Sequence, residues 1–195
     1  MIQALADRIA GYVVKNDGTA NHEILAYGFG LILYAIFTYA VVFASALLFG
    51  VIREMLVVLP VFWIMRYTVG GCHANSRLVC FITSTSSFYL CIFLAHTLVF
   101  RGPAIAVLLI VNLLVLIRYA PGDTQEQPMV KRRWLRKLLG VVFLLCFFAL
   151  SVFNRGMRVE ANILLLVPTL VSVLLHPYAY RIYRCKQSSF AACGQ

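Results

Sequence analysis

The sequence predicts an all-α, polytopic membrane protein with about six transmembrane segments and an N-terminal amphipathic helix. Three observations carry this. Hydrophobic residues make up 62% of the 195 residues and charged residues only 12%, against about 45–50% and about 25% in soluble globular chains. The apolar residues gather into runs approaching the roughly 20 residues that a spanning helix needs. Lys and Arg fall mainly in alternate connections between those runs, the asymmetry that sets orientation in a bilayer.

Residues 1–22 open the chain. Ile2, Leu5, Ile9, Tyr12 and Val13 recur at helical spacing, which predicts an amphipathic helix lying on the membrane, or alternatively a helical hairpin cap. No apolar run of the kind a signal peptide needs lies within Met1 to Asn21, so the first hydrophobic stretch is expected to act as its own insertion signal. Tyr27 to Phe49 spans without a single charge. Met55 to Val69 is short, contains Pro60 and carries Arg66 near its end, so it reads as a tilted span or a re-entrant segment. Leu78 to Phe100 is long enough to span, Ala104 to Ile117 must borrow flanking residues, and Leu138 to Phe153 and Val159 to His176 complete six segments. Residues 186–195 are expected to form a flexible tail. The whole, 1–195, reads as one membrane-embedded domain without internal repeats.

The densest basic cluster is Lys131, Arg132, Arg133, Arg136 and Lys137, and Arg181, Arg184 and Lys186 follow the last segment. If both clusters face the cytoplasm, both termini do too, and so does the loop Gly70 to Arg77. The net charge of +10 then reflects anionic lipid rather than nucleic acid. Cys80, Cys91 and Cys146 lie in apolar runs, Cys185 and Cys193 in a tail expected to be reducing, and no CxxC pair exists. Neither disulfides nor a metal site are expected, and no cofactor is called for.

The polar, glycine-rich island is Gly70-Gly71-Cys72-His73-Ala74-Asn75-Ser76-Arg77, with Cys80 just beyond it. A cysteine nucleophile needs a base or a cationic neighbour, and His is its usual partner. On one continuous helix His73 and Cys80 would stand about 10 Å apart along the axis, whereas a nucleophile and its base meet at about 3 Å. The chemistry therefore demands a break between them, and Gly70, Gly71 and Asn75 tolerate one. Other pairings are weaker. His96 and Cys91 read as deep in the span and on different faces. His176 before Pro177 marks an interface, and Cys72 stands beside His73 on a loop. Ser84, Ser87 and Cys91 follow Cys80 at i+4, i+7 and i+11, a small and weakly polar stripe that is either a helix-packing seam or the lining of a substrate groove. Arg66 is expected to orient the loop or to bind a carboxylate or oxyanion, unless it only snorkels to the interface. Asp and Glu total seven and none lies in the island, which argues against a metalloprotease or an aspartyl protease.

Arg66…Gly70-Gly71-Cys72-His73…Cys80, together with Tyr119-Ala120-Pro121-Gly122-Asp123-Thr124-Gln125-Glu126-Gln127-Pro128 in the next cytoplasmic loop, resembles the accessory gene regulator B (AgrB) family of bacterial quorum sensing. The resemblance implies a membrane cysteine endopeptidase with His73 as base and Cys80 as nucleophile. It further implies a short precursor peptide as substrate, a cyclic thiolactone or lactone product, roles for Arg66 and Gly71, and a homodimer in the bacterial cell membrane. Asn75, Ser84 and Asp123 are candidates to orient His73, and Asp123 alternatively caps a turn. Lys131, Arg132 and Arg133 are candidates to bind an acidic leader or tail of the precursor, besides meeting anionic lipid. The competing reading is a small transporter or peptide exporter, with Arg66 and His96 marking a permeation path.

Overall fold

In the computed structural model, the described residues are 2–16, 21–72, 76–122, 132–154 and 156–183. They form eight helices: α1 (Ile2–Asn16), α2 (His22–Leu48), α3 (Ile52–Val69), α4 (Arg77–Thr97), α5 (Gly102–Tyr119), α6 (Arg133–Phe153), α7 (Arg158–Leu175) and α8 (Pro177–Ile182). The all-α expectation holds. Five of them, α2 and α4 to α7, are long and apolar enough to cross a membrane.

The chain divides into two compact units, Met1–Gly50 and Val51–Gln195. In the first, Asn21 caps α2, its side-chain oxygen accepting from the amides of Glu23 at 2.9 Å and Ile24 at 3.4 Å. This satisfies two donors that a helix start leaves open. Helix α1 packs on α2, and Ala6, Ala10, Ala26 and Gly30 are buried; small residues let two helices approach closely. Leu5 and Tyr12 stay exposed, an apolar surface suited to a lipid interface.

The second unit is built around α7, which packs against α3, α4, α5, α6 and α8. Its buried Ile163, Leu165, Val167, Val171 and Leu175 form the centre of the core. By contrast α5 turns Val107, Ile110, Val111, Leu114 and Ile117 outward, as a lipid-facing helix does. At one end of the bundle, Arg53 meets Glu160 at 3.8 Å and Glu54 meets His96 at 3.3 Å. There the amide of Asn162 donates to the carbonyls of Ala95 at 2.9 Å and Leu98 at 3.0 Å, and Arg158 donates to Leu98 at 3.1 Å. These are carbonyls that the C-terminus of α4 cannot satisfy itself.

Helix α3 takes one unbroken course where its sequence left two alternatives. It is continuous through Pro60, and its first turn is level with the end of α4 and the start of α7. Its last turn meets the ends of α5 and α7, through Gly122 and Leu174. It therefore runs the length of the bundle, about 27 Å for its 18 residues. Arg53, Glu54 and Arg66 give it three charges. His96 also differs from expectation: it occupies the last turn of α4 and pairs with Glu54. The helix ends at Thr97 rather than at the predicted Phe100, which leaves His96 exposed at its end.

Candidate active site

The site begins where α3 stops. Gly70 has φ 75° and ψ −143°, and Gly71 has φ 125°, a part of backbone space that a side chain enters at a cost of roughly 1–3 kcal/mol. Two glycines thus turn the chain sharply out of the helix. The turned segment is then held from three sides. The Gly71 amide donates to the Gly122 carbonyl at 3.1 Å, and the Gly122 amide returns a bond to Val69 at 2.9 Å, forming a single parallel bridge between the two loops. The Cys72 amide donates to the carbonyl of Leu174 in α7 at 3.3 Å.

Arg66 supplies the third hold. One guanidinium nitrogen donates to the Gly70 carbonyl at 3.2 Å, and another donates to the Cys72 carbonyl. The Cys72 carbonyl belongs to the peptide group that joins it to His73, so Arg66 holds the backbone from which the histidine departs. Arg66 therefore engages the backbone of the loop on both sides of Gly71. The guanidinium also explains Gly71: a Cβ there would collide with Arg66 Nη1. Gly122 is similarly confined, since a Cβ would stand 2.8 Å from Leu175 Cδ2 and 3.1 Å from the Gly71 amide nitrogen.

Cys72 is buried with Ala179 and Tyr180, and Leu174 and Tyr183 pack around them. Buried cysteine mostly serves as a small hydrophobe, and this one seats the island on α8. That helix was not anticipated from the sequence. Cys80 differs from Cys72 in being partly open, in the first turn of α4, where its amide donates to the Ser76 carbonyl at 2.9 Å. Ser76 makes no side-chain cap to the helix, which leaves the first-turn amides of α4 to other acceptors. Thr83 donates to the carbonyls of Val79 at 2.7 Å and Cys80 at 3.2 Å, and Ser87 to Thr83 at 2.7 Å. Ser84 is half-buried one turn beyond Cys80.

Four predicted site residues, His73, Asn75, Asp123 and Lys131, lie outside the described residues. Arg132 is exposed with φ 55°, and Arg133 begins α6. Two members of the same basic run have structural partners. Arg136 lies 5.6 Å from the centre of the Tyr67 ring, and Lys137 donates to the Ile117 carbonyl near the end of α5, where a cation meets the negative end of the helix dipole.

Sequence reasoning missed a second feature of this region. A cavity of about 450 Å³ lies between α4, α5, α7 and α8, with Ser87, Asn112, Thr169, Ser172 and His176 in its wall. A single Asn inside the otherwise apolar run Ala104 to Ile117 was the available signal.

The chain is similar in sequence to known proteins. The family model for accessory gene regulator B matches residues 6–182. A putative AgrB-like protein of Clostridium acetobutylicum is 36% identical over 115 residues, which cover 58% of this chain and 54% of that protein. A putative AgrB-like protein of Listeria innocua is 24% identical over 197 residues, 95% of this chain and 94% of the relative. The accessory gene regulator protein B of Staphylococcus saprophyticus is 25% identical over 179 residues, 90% and 94% of the two chains. No solved structure matches. With a family match over nearly its whole length and five helices long and apolar enough to cross a membrane, the chain belongs to the accessory gene regulator B family and has its role in the accessory gene regulator quorum-sensing system.

Proposed function

We propose that the chain is a cysteine endopeptidase that cuts a short precursor peptide at the cytoplasmic face and closes it into a thiolactone or lactone. The observation that carries this reading is the fixed exit of the chain toward His73. Arg66, Gly122 and Leu174 hold the backbone up to Cys72, and only three residues separate Cys72 from Ser76 at the start of α4. At no more than about 3.5 Å per residue, so short a link limits how far the clamped Cys72 can stand from the start of α4, which supports pairing His73 with Cys80.

In the proposed reaction His73 takes the Cys80 thiol proton, and the sulfur attacks the scissile carbonyl. The developing oxyanion is served by the uncapped amides at the start of α4. The peptide bond breaks, the departing amine takes the proton from His73, and a thioester to Cys80 remains. A Cys or Ser side chain of the peptide then attacks that thioester and loses its own proton. Cys80 leaves, regains a proton, and the ring is closed. A thioester retains enough acyl activation for ring closure to compete with hydrolysis where water is excluded.

The transporter alternative drew on Arg66 and His96. Arg66 engages the island backbone and His96 pairs with Glu54 at the bundle end, which gives each of them a structural partner and supports the peptidase reading over a transporter. The test is co-expression with candidate short precursor peptides from the same genome, followed by mass spectrometry, for wild type, Cys80→Ala and His73→Ala. Wild type alone should release the tail and yield a product one water lighter than the linear fragment. Equal processing by all three chains, or by none, would remove the reading.

A further inference from the structure

Helices α4, α5, α7 and α8 leave a groove of about 450 Å³ between them, inside the range of small-ligand sites, roughly 300–1,000 Å³. It opens sideways, because Val111, Val173, Tyr178 and Ile182 line it and are exposed. In a spanning bundle that side meets acyl chains. From Val111 to Tyr119 at the end of α5 is about 12 Å, close to the roughly 15 Å of hydrocarbon in one leaflet. The wall offers carbon to an occupant. Val111, Val115 and Leu170 are apolar, and the hydroxyls of Ser87 and Thr169 are spent on their own helices, donating to the carbonyls of Thr83 and Leu165 at 2.7 Å each. Asn112 and Ser172 are buried behind this surface. An extended peptide here leaves its amides without acceptors at a depth where no water replaces them. An acyl chain has no such groups to satisfy.

The mouth of the groove has the opposite chemistry. Tyr119 and Tyr178 each pack on His176 with ring centres 5.3 Å apart, aromatic groups of the kind that sit at headgroup level. Arg118 follows Val111 at i+7 and Val115 at i+3, so it stands on their side of α5, nearer the helix end. Arg181 lies 5.9 Å from the centre of the Tyr178 ring. Both arginines are exposed, and neither makes an ion pair among the described residues. No residue of the groove wall is acidic. We propose that the groove holds one acyl chain of an anionic phospholipid from the cytoplasmic leaflet, with its phosphate at Arg118 and Arg181. Occupancy bears on the island through α8. Tyr178 and Ile182 of that helix line the groove, while Ala179 and Tyr180 pack with Cys72. The lipid thus supports the helix on which the island is seated, and its effect on cleavage rests on the endopeptidase reading.

The test uses the full chain in phosphatidylcholine nanodiscs doped with phosphatidylglycerol that carries a photoreactive diazirine in one acyl chain. Cross-links are expected at Val111, Val115, Leu170 and Val173 in preference to Ile110 and Ile117, which are exposed around the other side of α5. Unlabelled phosphatidylglycerol should displace the probe about tenfold better than phosphatidylcholine, as two arginines at an anionic headgroup require. The double variant Arg118→Gln/Arg181→Gln should lose that preference while keeping cross-links along the groove. Uniform labelling of α5, equal competition by the two lipids, or an undiminished preference in the double variant would each overturn the proposal. So would labelling that excess precursor peptide abolishes, or that falls when two chains share a disc, since a peptide or a second copy would then fill the groove. Cleavage by the wild type should run several-fold faster in phosphatidylglycerol discs than in phosphatidylcholine discs, and cleavage by the double variant should be equal in both. Equal wild-type rates would overturn the link to the island. Labelling is scored in Cys80→Ala as well, so failure of this site is distinguishable from failure of catalysis at Cys80.

Discussion

Arg66 and Gly71 act as one device. The guanidinium reaches two carbonyls only because Gly71 offers no Cβ to block it. Lysine at 66 keeps the charge but presents a single ammonium, which cannot reproduce a planar fork spanning two acceptors. Arg66→Lys is expected to reduce peptide cleavage by about 10- to 100-fold, the equivalent of one charge-assisted hydrogen bond, with membrane expression close to wild type; cleavage assays on matched protein amounts check this. Gly71→Ala meets both the collision with Arg66 and the backbone cost, and should lose cleavage more completely. If Gly71→Ala retained full activity, the island would not need the turn described above, and the clamp would have no bearing on the reaction.

Helix packing carries the clamp into the bundle. Val69, whose carbonyl accepts from Gly122, sits where α3 crosses α6, and there the crossing depends on Gly140. A Cβ at Gly140 would stand 2.6 Å from Val69 Cγ2 and 3.5 Å from Leu116 Cδ2, so the two helices meet at the distance that only glycine allows. Gly140→Val should push the end of α3 away from α5 and α6, lowering both thermal stability in detergent and cleavage. Overpacking of this kind costs about 1–3 kcal/mol. The matched variant Gly102→Ala, at a position with nothing within 4 Å of its Cβ, should change neither. Equal effects of the two would mean that the α3–α6 crossing is not under this constraint.

Across the whole bundle, the ends of the helices separate into two layers. Arg53, Glu54, His96, Arg158 and Glu160 gather at one end, whereas Gly70, Gly122, Leu174 and Tyr180 gather at the other. With the second layer placed at the cytoplasmic face, as the basic run suggests, Val51→Cys, Arg101→Cys and Gly156→Cys should react with a membrane-impermeant maleimide on intact cells. Arg132→Cys should react only after permeabilisation. Labelling of Val51→Cys from the same side as Arg132→Cys would show that α3 does not cross, despite running the full length of the bundle.

Composition and run length were sufficient to identify a helical membrane protein and to place five of its spans, because burying a backbone in lipid leaves little choice but a helix. The island was legible too, since glycine and polar residues between two apolar runs mark a place where the chain leaves the helix and meets water. The course of α3 was not, because Pro60 and three charges obscure a helix whose fate depends on what packs against it. Sequence preferred Cys80 over Cys72 by spacing and resemblance, but the difference in burial between them is carried by tertiary contact alone. The partners of Arg66 are backbone carbonyls, which carry no signature in the sequence. Asn112, Thr169 and Ser172 form a wall only because α7 lies in the middle of the bundle. Local pattern determined what each segment is, and tertiary contact decided which polar groups meet, since hydrogen bonds between distant segments leave no periodic trace in the chain.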